Sequence, residues 1–97
     1  MSKRSVSIRV SGRVQGVYYR QSCRSVARSL GLVGWVRNLA DGSVAIRAQG
    51  EADAVERLIE WAWLGPEGAT VTGVETEMSD VDDTIADFYI QPGPAGE

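Results

Sequence analysis

The chain has no histidine and a single cysteine, Cys23, in 97 residues. Without imidazole it lacks the side chain most often used as a general base near pH 7, and also the commonest transition-metal ligand. One cysteine excludes an intramolecular disulfide, and neither a four-cysteine nor a mixed cysteine–histidine zinc site can be assembled. No apolar run approaches the roughly 20 residues that a membrane span requires. Lys3 and Arg4 stand near the start, but Val6-Ser7-Ile8-Arg9-Val10 alternates where a signal peptide would be continuously apolar. These absences lead us to expect a soluble, cytoplasmic protein in a reducing compartment, holding no metal and no organic cofactor.

Basic residues are nearly missing from the second half. Nine of the ten Lys and Arg fall before residue 48, where Asp41 is the only acid, and the net charge is -3. An acidic total argues against a nucleic-acid binder, whereas a local basic patch still attracts a small anion. The 43% hydrophobic and 24% charged content is ordinary for a globular chain. A chain of this length supports one core and no second. We therefore expect one domain over residues 1–97, with its core at about 5–91 and a flexible Pro-Gly tail at 92–97.

Residues 5–11 alternate Val6, Ile8 and Val10 with Ser7, Arg9 and Ser11, the period-two pattern of a half-buried strand. The glycine-bracketed segment Gly12-Arg13-Val14-Gln15-Gly16 interrupts it. Cys23, Val26, Ala27 and Leu30 then recur at helical spacing, with Gly31 placed to end the helix and Leu32 to contact it. Residues 33–39 and 43–48 are β-like and flank Asp41-Gly42, a hairpin signal. Glu51 and Asp53 suit a helix N-terminus, Val55, Leu58, Ile59 and Ala62 form one stripe, and Gly65-Pro66 ends it. Residues 69–78 and 86–90 give two last strands around Asp80-Val81-Asp82-Asp83. That acidic run lacks the spaced glycine and closing glutamate of a calcium loop and is taken as a solvated loop.

The order β-α-β-β-α-β with a short extra C-terminal strand predicts a ferredoxin-like α+β sandwich, an antiparallel sheet with two helices on one face. In that layout strands one and two are parallel on either side of strand three. The segment after strand one and Asn38 at the end of strand two should then be neighbours.

A glycine-bracketed turn entering a helix aims successive backbone N–H groups inward, where the helix N-terminus adds partial positive charge. The same glycine pair fits a plain turn, and the segment lacks the Gly-Lys-Ser/Thr ending of a nucleotide-binding loop. Arg20 in the first helical turn opposes the macrodipole, which a bound anion would offset. It also fits a solvated series with Arg24 and Arg28. Asn38 suits the holding of a water in line with a gripped phosphorus, and equally a strand-end asparagine serving its own backbone. Cys23 lies on the apolar helix face as a small core residue. Trp35, Trp61 and Trp63 read as core or surface packing, and Tyr18 and Tyr19 as loop packing or the flanks of a bound group.

Gly12-Arg13-Val14-Gln15-Gly16-Val17-Tyr18-Tyr19-Arg20 closely resembles the first signature of the acylphosphatase family. Gly34-Trp35-Val36-Arg37-Asn38-Leu39-Ala40-Asp41-Gly42-Ser43-Val44 resembles the second, and Gly65-Pro66 with Ala69 and Val71 resembles a later segment. The likeness spans about residues 5–91 and departs at Gln91, where many members carry arginine. It implies metal-free hydrolysis of an acyl phosphate to a carboxylate and inorganic phosphate. It further implies that Arg20 binds the phosphate, that Asn38 orients the attacking water, and that backbone N–H groups of Gln15, Gly16, Val17, Tyr18 and Tyr19 complete the cradle. We expect a monomer, with no nucleic acid or membrane as partner.

Three rival readings start from the same fold. An RNA-recognition module would carry stacking aromatics on its third strand, and Val44-Ala45-Ile46-Arg47-Ala48 has none. The other two are an accessory acylphosphatase-like domain, as found joined to carbamoyl-transferring maturation proteins, and a non-catalytic phosphate or anion sensor using the same loop.

Overall fold

The computed structural model describes residues 2–93, so residues 94–97 of the expected tail lie outside the described residues. Its elements are β1 (Lys3–Arg13), α1 (Tyr19–Ser29), β2 (Val33–Asn38), β3 (Val44–Glu51), α2 (Ala52–Leu64), β4 (Thr70–Ser79) and β5 (Phe88–Ile90). The alternation in β1 is a true face pattern: Val6, Ile8 and Val10 are buried while Ser7 and Arg9 are exposed. In α1 the buried residues Tyr19, Cys23 and Ala27 recur every four positions along one stripe. That helix ends as its glycine predicts. Gly31 N–H donates to Arg28 C=O at 3.0 Å and Leu32 N–H to Ala27 C=O at 2.9 Å, the paired bonds of a Schellman motif.

The strand order is β4-β1-β3-β2-β5. β3 is antiparallel to both β1 and β2, which are therefore parallel to each other. Val6, Ile8 and Val10 pair with Ala48, Ile46 and Val44, so these residues share the face on which α1 and α2 pack. Cys23 and Ala27 of α1, and Val55, Leu58 and Ala62 of α2, close the core above them.

The expected antiparallel sheet needs one correction, because β5 joins β2 in parallel and the sheet is mixed. The cause is the long connection at 80–87. It carries the chain from the β4 edge to the opposite edge, where β5 arrives running in the direction of β2. The acidic run at 80–83 is a largely exposed loop, and it is also anchored. Asp80 and Asp83 are exposed, but the backbone is pinned by Gln49, whose side chain is 1% exposed. Gln49 Nε2 donates to Asp82 C=O at 3.0 Å, and Asp82 N–H donates back to Gln49 Oε1 at 2.8 Å. Arg47 Nη2 also donates to Asp80 C=O.

The two helices are tied where α2 ends. The Ala62 carbonyl would ordinarily accept from residue 66, but Pro66 has no N–H to give. The Tyr19 hydroxyl donates to it instead at 2.8 Å, and the Tyr19 ring packs against Trp61 with centroids 5.0 Å apart. Ala62 is fully buried, so water cannot take over that bond. Tyr19→Phe should therefore keep the ring contact and lower stability by about 1–2 kcal/mol, the cost of an unsatisfied buried acceptor. Urea unfolding followed by tryptophan fluorescence should show a lower midpoint with an unchanged slope.

Candidate active site

One row of paired residues sets the site. Val10 of β1 pairs with Val44 of β3, and Val44 pairs on its other side with Asn38, the last residue of β2. With strands about 4.8 Å apart, Asn38 lies roughly 10 Å from Val10, near the C-terminal end of β1, and on the helix-covered face. The segment leaving β1 must pass beside it to reach α1.

That segment is shorter than the sequence suggested. Gly12 belongs to β1, at an irregularity in the pairing with β4, where an added Cβ would come within 2.1 Å of Thr70 C=O. Its role is close strand approach, and the connecting loop is residues 14–18. Val14 is buried and Val17 packs against the core, so two apolar anchors hold the loop from beneath. Between and after them the backbone turns left-handed, at Gly16 (φ 75°) and Tyr18 (φ 63°). Tyr18 is the one non-glycine residue with positive φ among the described residues, a conformation that costs of order 1–3 kcal/mol. Strain of this kind collects where a loop serves a ligand.

Within the described residues, the backbone N–H groups of Gln15, Gly16, Val17, Tyr18 and Tyr19 donate no hydrogen bond. The start of α1 has no side-chain cap and no acidic residue in its first turn, which contains Arg20 instead. The N–H groups of the turn, the positive end of the helix and a guanidinium thus add in one direction, and all three favour an anion. Gly16, Tyr18, Tyr19, Arg20 and Asn38 line one pocket of about 200 Å³, together with Val14 and Gln21. Asn38 is 5% exposed, so its amide is held in place and shielded. Trp35, Trp61 and Trp63 lie outside this pocket.

The two tyrosines have separated roles. Tyr19 is core, whereas Tyr18 is 76% exposed at the rim. Gln15 does something the sequence did not announce. Its side-chain Nε2 donates to Leu39 C=O at 2.8 Å and to Ser43 C=O at 2.9 Å, the two carbonyls that bracket the β2–β3 turn. No spacing rule reveals this, since the partners lie 24 and 28 residues away. The turn itself is closed by Gly42 N–H to Leu39 C=O and Leu39 N–H to Ser43 C=O. On its far side Asp41 accepts from Ser43 N–H and pairs with Arg9.

Fold and loop together define a small α+β sandwich that presents a left-handed turn at the mouth of one uncapped helix. The acylphosphatase family model matches residues 6–90, and the chain belongs to the acylphosphatase family. It is 48% identical to an acylphosphatase of Shewanella amazonensis over 87 residues, 90% of this chain and 96% of that one. The acylphosphatase structure from Coxiella burnetii superposes with a TM-score of 0.88 at 43% identity, covering 92% and 93% of the two chains. Full-length HypF, in a phosphate- and nucleotide-bound form, matches with a TM-score of 0.87 at 25% identity; this chain aligns to 13% of it.

The one thiol is not part of this chemistry. Cys23 is fully buried, and burial pushes its pKa well above the ordinary thiol range. The neighbouring Tyr19 phenol is raised for the same reason. Only a thiolate alkylates readily. Iodoacetamide at pH 8 should therefore modify the native protein at least about 100-fold more slowly than the urea-unfolded chain, because reaction awaits opening of the core.

Proposed function

We propose that this acylphosphatase hydrolyses the carboxyl–phosphate bond of acyl phosphates by in-line attack of water. The observation that carries the reading is the convergence of Arg20 and Asn38, from the start of a helix and the end of a strand, on one pocket that the turn's Val14, Gly16 and Tyr18 also line. The phosphoryl group sits in the turn, its oxygens accepting from the N–H groups of Gln15, Gly16, Val17, Tyr18 and Tyr19 and from the Arg20 guanidinium. Charge growing on the equatorial oxygens meets donors already in place, with no reorganisation during the reaction.

Asn38 holds the water opposite the leaving group. The water oxygen bonds to phosphorus as the bond from phosphorus to the acyl oxygen breaks, releasing a carboxylate. A carboxylate needs no proton to leave, and the proton from water passes to the phosphate. No protein base is required, which suits a chain without histidine, and no step calls for a metal.

A sensor that binds phosphate without turnover uses the same turn but has no use for a shielded amide across the pocket. Relatives matched nearly end to end bear the acylphosphatase name, which also favours the enzyme over an accessory domain.

Acetyl phosphate hydrolysis, followed as phosphate release, tests these roles. Arg20→Ala should lower kcat/KM by about 100- to 1000-fold, the usual loss when one transition-state donor is removed. Asn38→Ala should lower kcat by about 100-fold with KM little changed and the fold intact. Added EDTA should leave the wild-type rate unchanged. Wild-type rates in both variants would sink the assignment.

A further inference from the structure

We infer that the Gln15 side chain is a positioning residue, setting the distance between the phosphate-holding turn and the amide of Asn38; this rests on the acylphosphatase reading above. Gln15 opens the turn, and its Nε2 bridges the Leu39 and Ser43 carbonyls at 2.8 and 2.9 Å. Leu39 follows Asn38 directly, and Ser43 precedes Val44, the β3 partner of Asn38. One amide group therefore grips the hairpin on both sides of the strand end that presents Asn38.

The chemistry of that grip is specific. Two convergent carbonyls need two hydrogens on one atom, and a primary amide supplies them at no charge. Glutamate has the same shape but no donor when ionised, and leucine fills the space with neither. The phosphate-holding half is anchored independently, by Val14 and Val17 in the core and by the Tyr19–Ala62 bond. Loosening Gln15 thus leaves the turn able to bind phosphate and disturbs its alignment with Asn38. In-line geometry is sensitive to such a shift, since a displacement of about 1 Å costs on the order of 100-fold in rate.

The test separates alignment from binding. Gln15→Leu and Gln15→Glu should lower kcat for acetyl phosphate about 10- to 100-fold, while KM and competitive inhibition by inorganic phosphate change less than about 3-fold. In an Asn38→Ala background, Gln15→Leu should change kcat by less than about 2-fold, because the residue being aligned is gone. Val26→Ala, a partly buried α1 residue packed against the core and outside the pocket, serves as a stability control and should keep wild-type kcat where it is folded. If Gln15→Leu does not fold, Gln15→Asn, which withdraws the amide by one methylene, should show the same loss of kcat. Unchanged kcat in the Gln15 variants, equal losses in phosphate affinity, or full additivity with Asn38→Ala would overturn the inference. A wild-type protein without turnover would overturn the acylphosphatase reading with it.

Discussion

The row Val10–Val44–Asn38 carries the rest of the molecule. By inserting β3 between two parallel strands, the sheet brings the exit of β1 and the end of β2 to the same edge at a separation fixed by two hydrogen-bonded spacings. Backbone ladders are stiff, so the strand spacing is fixed by the sheet, and the Gln15 side chain then ties the turn to the hairpin within it. The valines of the row are fully buried under the helices, and a one-residue slip would turn them and Asn38 to the open face. The hydrophobic burial that stabilises the fold therefore also sets the geometry of the pocket.

Within that frame the four residues Val14-Gln15-Gly16-Val17 divide the work. Two valines hold the turn down, the glycine bends it, and the glutamine ties it sideways to the hairpin. The left-handed Tyr18 then delivers the chain into α1, whose first turn borders the pocket. An arginine in the first turn of an uncapped helix is unfavourable for the isolated helix and favourable once an anion is present. The packing of Tyr19 against Trp61 and its bond to the Ala62 carbonyl tie this end of α1 to α2.

Two glutamines solve the same physical problem at opposite ends of the sheet. Gln15 satisfies the carbonyls of a turn, and the buried Gln49 pairs with both polar groups of Asp82 as a strand neighbour would. Each ties a segment outside the ladder to a neighbouring element through side-chain-to-backbone hydrogen bonds. The second of these ties lets the chain cross to the far edge and add β5 in parallel, the one feature that departs from an antiparallel plan.

The chain by itself determined the elements and their order. Alternation in β1, the helical spacing of Cys23, Val26, Ala27 and Leu30, and the glycine stops at Gly31 and Gly65 are local signals, and local physics fixes them. The two signature segments also identified Arg20 and Asn38 as the residues to watch. What only tertiary structure decided is what depends on partners far along the chain. Gly12 became a strand residue because β4 approaches it, Tyr19 became a helix tie because Pro66 leaves a carbonyl without its usual donor, and β5 turned parallel because 80–87 crosses the sheet. The side chain of Gln15 found its carbonyls across the pocket. In each case the deciding contact joins segments that are adjacent only after the sheet has formed, which no spacing along the sequence can encode.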